Sequence, residues 1–278
     1  MSLLVVGLIL SAALLHASWN AILRGGRDRL WSITVMCGMS AGVALPFLFF
    51  LALPARPSWP CIGLSAALQV CYCLFLVRGY REGELAQVYP IARGTSPLLV
   101  TLGAALVVGE RLTPQALAGI ALVSLGILAL AFEKSRLSAR STLAAIATGV
   151  FVAAYTLTDG VGARLAGHAQ SYAAWLFLVQ GAAMPSVYVT LRGRLVVPLK
   201  DPETWKVFAG GVFGLLSYGV VVWALTMAPM GRVSALRETS ILFAAVIGVV
   251  FLKEKLTPAR ITAALMIAGG AIALSTAH

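Results

Sequence analysis

Acidic residues are what this chain has least of. Its 278 residues hold 10 Asp and Glu against 21 Lys and Arg, and charged residues of both signs make up 11% of the total. A soluble domain of this length needs far more polar surface than that. Histidine is also scarce, with three copies scattered at 16, 168 and 278. No His-Glu-x-x-His, Gly-x-Ser-x-Gly or Gly-x-x-x-x-Gly-Lys-Ser/Thr occurs in the chain. No catalytic residue is therefore nominated, no cofactor or metal is expected, and no nucleotide site is present through which ATP could drive a step directly. The four cysteines, Cys37, Cys61, Cys71 and Cys73, lie in or beside apolar runs. Cys71 and Cys73 fall on different sides of a helix, and no second pair or histidine follows at ligand spacing, so all four read as packing residues.

What the chain has in abundance is apolar length. It is 60% hydrophobic, with a mean hydropathy of +0.92. Apolar stretches of about 20 residues, enough to cross the bilayer as helix, recur from end to end. The lipid bilayer is therefore the expected surrounding. No basic stretch precedes Leu3, and the first apolar run exceeds a signal-peptide core, so it is expected to be a retained helix. The net charge of +11 does not form a stripe or tail. The basic residues sit in short loops between apolar runs, which is how membrane proteins set orientation, and a nucleic-acid partner is not expected.

Breaks marked by Gly, Pro and charge predict ten helices, at about 3–23, 31–53, 61–77, 85–108, 114–132, 142–157, 172–191, 204–227, 231–252 and 258–276. Two polar motifs repeat across them. Arg93-x-Thr95-Ser96 returns as Arg237-x-Thr239-Ser240, and Glu110-x-Leu112-Thr113-Pro114 returns as Glu254-x-Leu256-Thr257-Pro258. The offset is the same both times, 237 − 93 = 144 and 254 − 110 = 144. The second half is thus a diverged copy of the first, giving repeats at 1–133 and 141–278 joined by a basic linker at 134–140.

Five helices per half is an odd number, so the second copy enters the membrane from the opposite side. The expected fold is all-α and polytopic, with ten transmembrane helices as two five-helix inverted-topology repeats. Loop charges agree. Loops after the odd-numbered helices carry about fifteen Lys and Arg, among them Arg24, Arg27, Arg29, Lys134, Arg136 and Arg140. Loops after helices 2, 4, 6 and 8 carry about four, Arg56, Arg111, Arg164 and Arg232. The basic set is expected in the cytoplasm, both termini outside it, and the chain in the cell (inner) membrane.

Each half ends in a polar helix, a Glu-x-Leu-Thr-Pro turn and a Gly-containing final helix. This pattern resembles the EamA family of the drug/metabolite transporter superfamily over essentially the whole chain. The Gly109-Glu110-Arg111-Leu112-Thr113-Pro114 and Lys253-Glu254-Lys255-Leu256-Thr257-Pro258 turns are its strongest marks. More narrowly, Gln87-Val88-Tyr89-Pro90-Ile91-Ala92-Arg93-Gly94 and Ala235-Leu236-Arg237-Glu238-Thr239-Ser240 look like a subgroup described as phosphonate-utilisation-associated membrane proteins. The resemblance implies a transporter and favours export.

Arg93 and Arg237 lead the candidate site. A central arginine costs about 2.5–3.5 kcal/mol to insert even on the lenient scale, and such residues face a bundle interior or a wet cavity. Two guanidiniums facing one cavity suit a carboxylate, phosphate or phosphonate. The alternative is a structural ion pair. Glu238 stands where the first half has Gly94, so the site is asymmetric. Read as the only carboxylate deep in a predicted helix, Glu238 is a candidate for a substrate amine, for proton coupling, or for neutralising an arginine, with Arg93 as the expected partner. Tyr89 shares the face of Arg93 between Pro90 and Pro97. Thr95, Ser96, Thr239 and Ser240 offer hydroxyls, with back-bonding to carbonyls as the plainer reading. Trp19, Asn20, Tyr155 and Tyr218 complete the substrate-binding candidates. Asp159 and His16 join Glu238 as coupling candidates. Gln69, Tyr72, Trp175, Gln180, Ser217 and Trp223 are weaker ones. Glu110 and Glu254 are expected to cap the fifth and tenth helices.

The function this predicts is secondary active transport by alternating access. The substrate is a small polar metabolite, anionic or zwitterionic, such as an amino acid or aminophosphonate, with protons as a possible coupling ion. One chain carries both halves, so a monomer suffices. The alternatives are a multidrug-type exporter of lipophilic cations, which needs a net negative aromatic cavity, and an intramembrane enzyme or sensor.

Overall fold

Local chemistry sets the helix ends. In the computed structural model the helices are α1 (Leu3–Gly25), α2 (Arg29–Phe47), α3 (Trp59–Glu82), α4 (Leu85–Val107), α5 (Pro114–Leu130), α6 (Ala139–Leu165), α7 (Ala169–Arg192), α8 (Pro202–Met227), α9 (Met230–Arg237), α10 (Ser240–Leu252) and α11 (Pro258–Thr276). The structure describes residues 1–82, 85–131, 139–252 and 257–277, with the backbone alone for 78–82, 85–88, 139–141 and 251–252. Lys134, Arg136, Lys253, Glu254, Lys255, Leu256 and His278 lie outside the described residues, as do the side chains of Gln87, Val88 and Arg140. Ser2, Asp28, Thr113, Asp201 and Thr257 cap α1, α2, α5, α8 and α11, each accepting from a backbone N–H two or three residues on. Pro114, Pro202 and Pro258 take the first helical turn, where a missing N–H leaves nothing unpaired. Gly193 ends α7 with φ +86°, a conformation that favours glycine.

Among the described residues there is helix but no strand. Nine stretches among the described residues are long and apolar enough to cross a membrane, with α9 and α10 counted together over Met230–Val250. The tenth crossing, α5, has 17 residues, about 26 Å of helix at 1.5 Å per residue. The chain is thus a multi-pass membrane protein. Four helices depart most from the sequence expectation, one of them α3, which runs on to Glu82 rather than stopping at 77. α2 stops at Phe47, just past Pro46, rather than at 53. α6 runs on to Leu165 rather than stopping at 157, continuing through Gly160 and Gly162, against which Met230 and Tyr172 pack. The ninth predicted helix is two helices, broken between Arg237 and Ser240.

The helices alternate between two faces, and contacts across each face fix which ends lie together. On one face the Arg27 side chain donates to Asp201 (2.6 Å) and to Glu203, and Trp31 Nε1 donates to the Val196 carbonyl (2.8 Å). The Glu203 N–H, donated to Asp201, holds that carboxyl below the usual carboxylate range, and Arg27 adds to the effect. On the other face Ala55 N–H donates to the Ala166 carbonyl (3.2 Å) and Gln115 donates to Thr276 (3.0 Å). α1 therefore runs towards the Arg27 face and α6 away from it, as an inverted repeat requires. The packing has the same symmetry. α1 packs on α8 as α6 packs on α3, and α1 packs on α9 and α10 as α6 packs on α4. The pairs α2 with α7 and α5 with α11 map onto themselves. Arg164 and Arg232, counted as loop residues from sequence, are in the last turn of α6 and the first turn of α9.

α5 and α11 press together through small residues, as membrane helices do where lipid offers no hydrophobic gain. A Cβ on Gly270 would meet the Gly119 carbonyl at 2.7 Å and Val123 Cγ2 at 2.7 Å. Both obstacles lie on the facing helix, and one is backbone. Gly270→Val should therefore lower stability by about 1–3 kcal/mol through forced separation of the pair. Thermal unfolding in detergent measures this, and an unchanged midpoint would refute the close approach.

Candidate functional site

The site begins at the break between α9 and α10. The N–H groups of Thr239, Ile241 and Leu242 donate three residues back, to Leu236, Glu238 and Thr239, in place of the α-helical four. Thr239 Oγ1 also donates to the Leu236 carbonyl (2.7 Å), the back-bonding foreseen for these hydroxyls. A tightened turn inside a crossing marks a hinge or a strained site. Here it carries the charged pair. Its counterpart α4 is unbroken despite Pro90 and Pro97.

Arg93, Arg237 and Glu238 form one buried cluster, at 2%, 1% and 0% exposure. Glu238 Oε1 accepts from Arg93 Nη1 (3.1 Å) and from Arg237 Nη2 (3.2 Å). Two cations share one anion, so the cluster keeps a net charge of about +1. Arg93 is held from two further sides. Its Nη2 contacts His16 Nε2, and its guanidinium lies 5.2 Å from the Tyr89 ring centroid. A guanidinium only donates, so the imidazole nitrogen facing it accepts. The expected Arg93–Glu238 pairing is present. Both arginines donate to Oε1, and Glu238 Oε2 is buried without a partner.

A cavity of about 90 Å³ opens beside the cluster. His16, Trp19, Ile33, Met36, Cys37, Ser40, Gln69, Tyr72, Cys73, Tyr155, Phe177, Gln180, Gly210, Gly211, Gly214, Tyr218 and Arg237 line it. Arg237 is the cation in its wall, and its Nε is buried with no hydrogen-bond partner. Arg93 does not reach this cavity and lines only a recess of about 10 Å³ with Tyr72 and Tyr89. The expectation of two guanidiniums in one cavity is thus corrected to one, backed by the other through Glu238.

A second buried carboxylate closes the end of the cavity away from the Arg27 face. Asp159, completely buried, accepts from Tyr172 Oη (2.8 Å), Tyr218 Oη and Gln69 Nε2 (3.3 Å). Glu238 is therefore not the only deep carboxylate. The shorter helix expected at 142–157 left Asp159 outside, whereas α6 carries it inside.

Several candidates do other work. Asn20 Nδ2 donates to the His16 carbonyl (2.9 Å) and does not line the cavity. Ser96 Oγ is buried 3.4 Å from its acceptor, the Arg93 carbonyl, and Ser240 Oγ is buried without a partner. Thr95 bonds back to Ile91, Ser217 donates to the Ala12 carbonyl (2.7 Å), and Trp175 packs edge-on against Trp59. Gly94 sits where a Cβ would meet Leu128 Cγ at 2.6 Å, so the close approach of α5 excludes an acid there. Glu110 does not cap α5; Thr113 does. Glu110 instead accepts from Arg164 Nη2 (2.6 Å) and from the Met230 N–H (2.8 Å), tying α6 to the start of α9 at the face opposite Arg27. Missed from sequence were Phe177, the α2 lining and Gly210, Gly211 and Gly214. The glycine spacing was the available signal: α8 comes so close to α2 that a Cβ on Gly211 would meet the Met36 carbonyl at 2.7 Å.

Two inverted five-helix halves around a buried charged cavity define a class of membrane proteins that move small molecules. The EamA-like transporter family model matches residues 3–132 and again 140–276, and the chain belongs to that family. It is thus a membrane transporter by family, and the family's members are not enzymes. A solved structure, described only as the crystal structure of a protein, superposes with a TM-score of 0.77 at 22% identity, covering 99% of this chain and 97% of the other. That similarity speaks for the fold alone. Among curated proteins none matches.

Proposed function

We propose that the protein is a secondary transporter that exports a small anionic or zwitterionic metabolite by rocking its two halves about the cavity. The repeats are taken as 1–133 and 141–278, joined by the basic linker 134–140. The Arg27 face is the cytoplasmic one, in the inner membrane, on the loop-charge rule. One observation carries the substrate class: Arg237 stands in the cavity wall with a free Nε, in a cluster holding about one uncompensated positive charge. An acid group on the substrate supplies the missing anion. Trp19, Tyr72, Tyr155, Phe177 and Tyr218 give the rest of it an aromatic surround that also suits an amine. Amino acids and aminophosphonates combine both groups.

The same aromatic lining is what a lipophilic-cation exporter would use, and Arg237 argues against it. A thermal-shift screen of the purified protein separates the two. Amino acids or 2-aminoethylphosphonate should raise the unfolding midpoint and tetraphenylphosphonium should not. Stabilisation by tetraphenylphosphonium alone would reverse the assignment.

A further inference from the structure

We propose that Asp159 is the proton site of the transport cycle, and that its protonation loosens the closure of the face opposite Arg27. This rests on the transporter reading above, but not on the substrate class.

Asp159 is fully buried within a membrane crossing, and no cation among the described residues is paired with it. This separates it from Glu238, which two arginines neutralise. A lone charge in such a place is costly unless fixed donors or a proton compensate it. The groups facing Asp159 are neutral: Tyr172 on α7, Tyr218 on α8, Ser65, Gln69 and Cys61 on α3, and Tyr155 one turn back on α6. Arg164, further along α6, is engaged by Glu110 and by the Leu225 and Ala228 carbonyls. The Met230 side chain of α9 packs against Gly160.

The bonding is one-directional, which gives the proton its effect. An ionised carboxylate only accepts, and three donors from three helices converge on this one. The network therefore holds α3, α7 and α8 to α6 just beyond the cavity. A proton removes the negative charge that strengthens all three bonds and adds an O–H that competes for an acceptor, so the three contacts weaken together. The path for it is short. Tyr218 and Gln69 line the cavity and touch Asp159 directly, so the acid lies one hydrogen bond behind the wall.

The mirrored position towards the Arg27 face holds no acid. Asp159 lies six residues before the end of α6 (165 − 159 = 6). Asn20 lies five before the end of α1 (25 − 20 = 5), at the mirrored depth towards the Arg27 face. Asparagine does not ionise, and its Oδ1 is buried without a partner. Of the two mirrored positions within the membrane, only Asp159 can take up a proton.

Infrared pH-difference spectroscopy tests this without a substrate. The chain has three aspartates, Asp28, Asp159 and Asp201, and the other two stand at the water face. Carboxyl-¹³C aspartate in the wild-type protein should place an isotope-shifted protonated-carboxyl band from a buried group in the acid spectrum. Asp159→Asn should remove that band and Glu238→Gln should retain it. Absence of a shifted band in the wild type, or its survival in Asp159→Asn, would overturn the proposal. In proteoliposomes, Asp159→Asn should still exchange 2-aminoethylphosphonate but lose accumulation driven by a pH gradient. Undiminished gradient-driven accumulation in the variant would equally overturn it. A probe that is not carried by wild type would count against the substrate reading, and the infrared result then decides for Asp159.

Discussion

Glu238→Gln should be among the most damaging single substitutions in the chain. Glutamine keeps the shape and removes the one negative charge that Arg93 and Arg237 share. Two guanidiniums at 2% and 1% exposure would then face each other without a counter-charge. Removing one partner of a buried ion pair typically costs 3–5 kcal/mol, roughly the order expected here. Thermal unfolding and folded yield in detergent measure it. A double variant makes the test specific. Arg93→Met alone leaves the Arg237–Glu238 pair intact and should cost less. Adding Arg93→Met to Glu238→Gln should restore part of the lost stability, because it removes one of two repelling cations. Strictly additive losses would show that the three residues do not act as a cluster.

The sequence disclosed the architecture more fully than the site. Apolar length, the 144-residue offset and the odd number of helices per half are global properties, and together they define an inverted two-repeat membrane bundle. A partner is harder to read. The Arg93–Glu238 link was foreseeable, because neighbours on a helix point about 100° apart and Glu238 pairs more easily with a cation on another helix, but its second bond, to the adjacent Arg237, was not. That Arg93 would be screened from the cavity by Glu238 was not, since the exposed side of a guanidinium depends on packing. Asp159 was undervalued for a different reason. Gly160 and Gly162 look like the end of a helix, yet α6 continues through both to Leu165, with Met230 and Tyr172 packed against them, and the eight further residues carry Asp159 into a buried position. Glu110 misled for a third reason. A carboxylate four residues before a proline looks like a local cap, yet Thr113 is nearer the α5 N–H groups and leaves Glu110 for Arg164 and Met230.

Arg237→Ala should abolish binding of the anionic substrate while sparing the fold, and the cluster geometry explains why the two effects separate. Losing Arg237 leaves Arg93 and Glu238 as a neutral pair at 3.1 Å, so no buried charge is stranded. What disappears is the guanidinium in the cavity wall and its free Nε. Hydrogen bonds to charged groups contribute about 1.5–3 kcal/mol each, so loss of one or two predicts a fall in affinity of at least roughly tenfold to a hundredfold. Arg237→Lys keeps the charge but not the planar fork, and should recover only part of the binding. The measurement is the concentration of 2-aminoethylphosphonate, or of whichever amino acid stabilises wild type, needed to shift the unfolding midpoint by half its maximum. Arg93→Ala is the informative contrast. It leaves Arg237 in the wall and takes away the cation that shares Glu238, so Glu238 then offsets Arg237 alone and the cluster loses its surplus positive charge. Anion affinity should fall although the cavity wall is untouched. A loss confined to Arg237→Ala would mean that hydrogen-bond geometry decides the binding; losses in both variants would mean that the net charge of the buried cluster does.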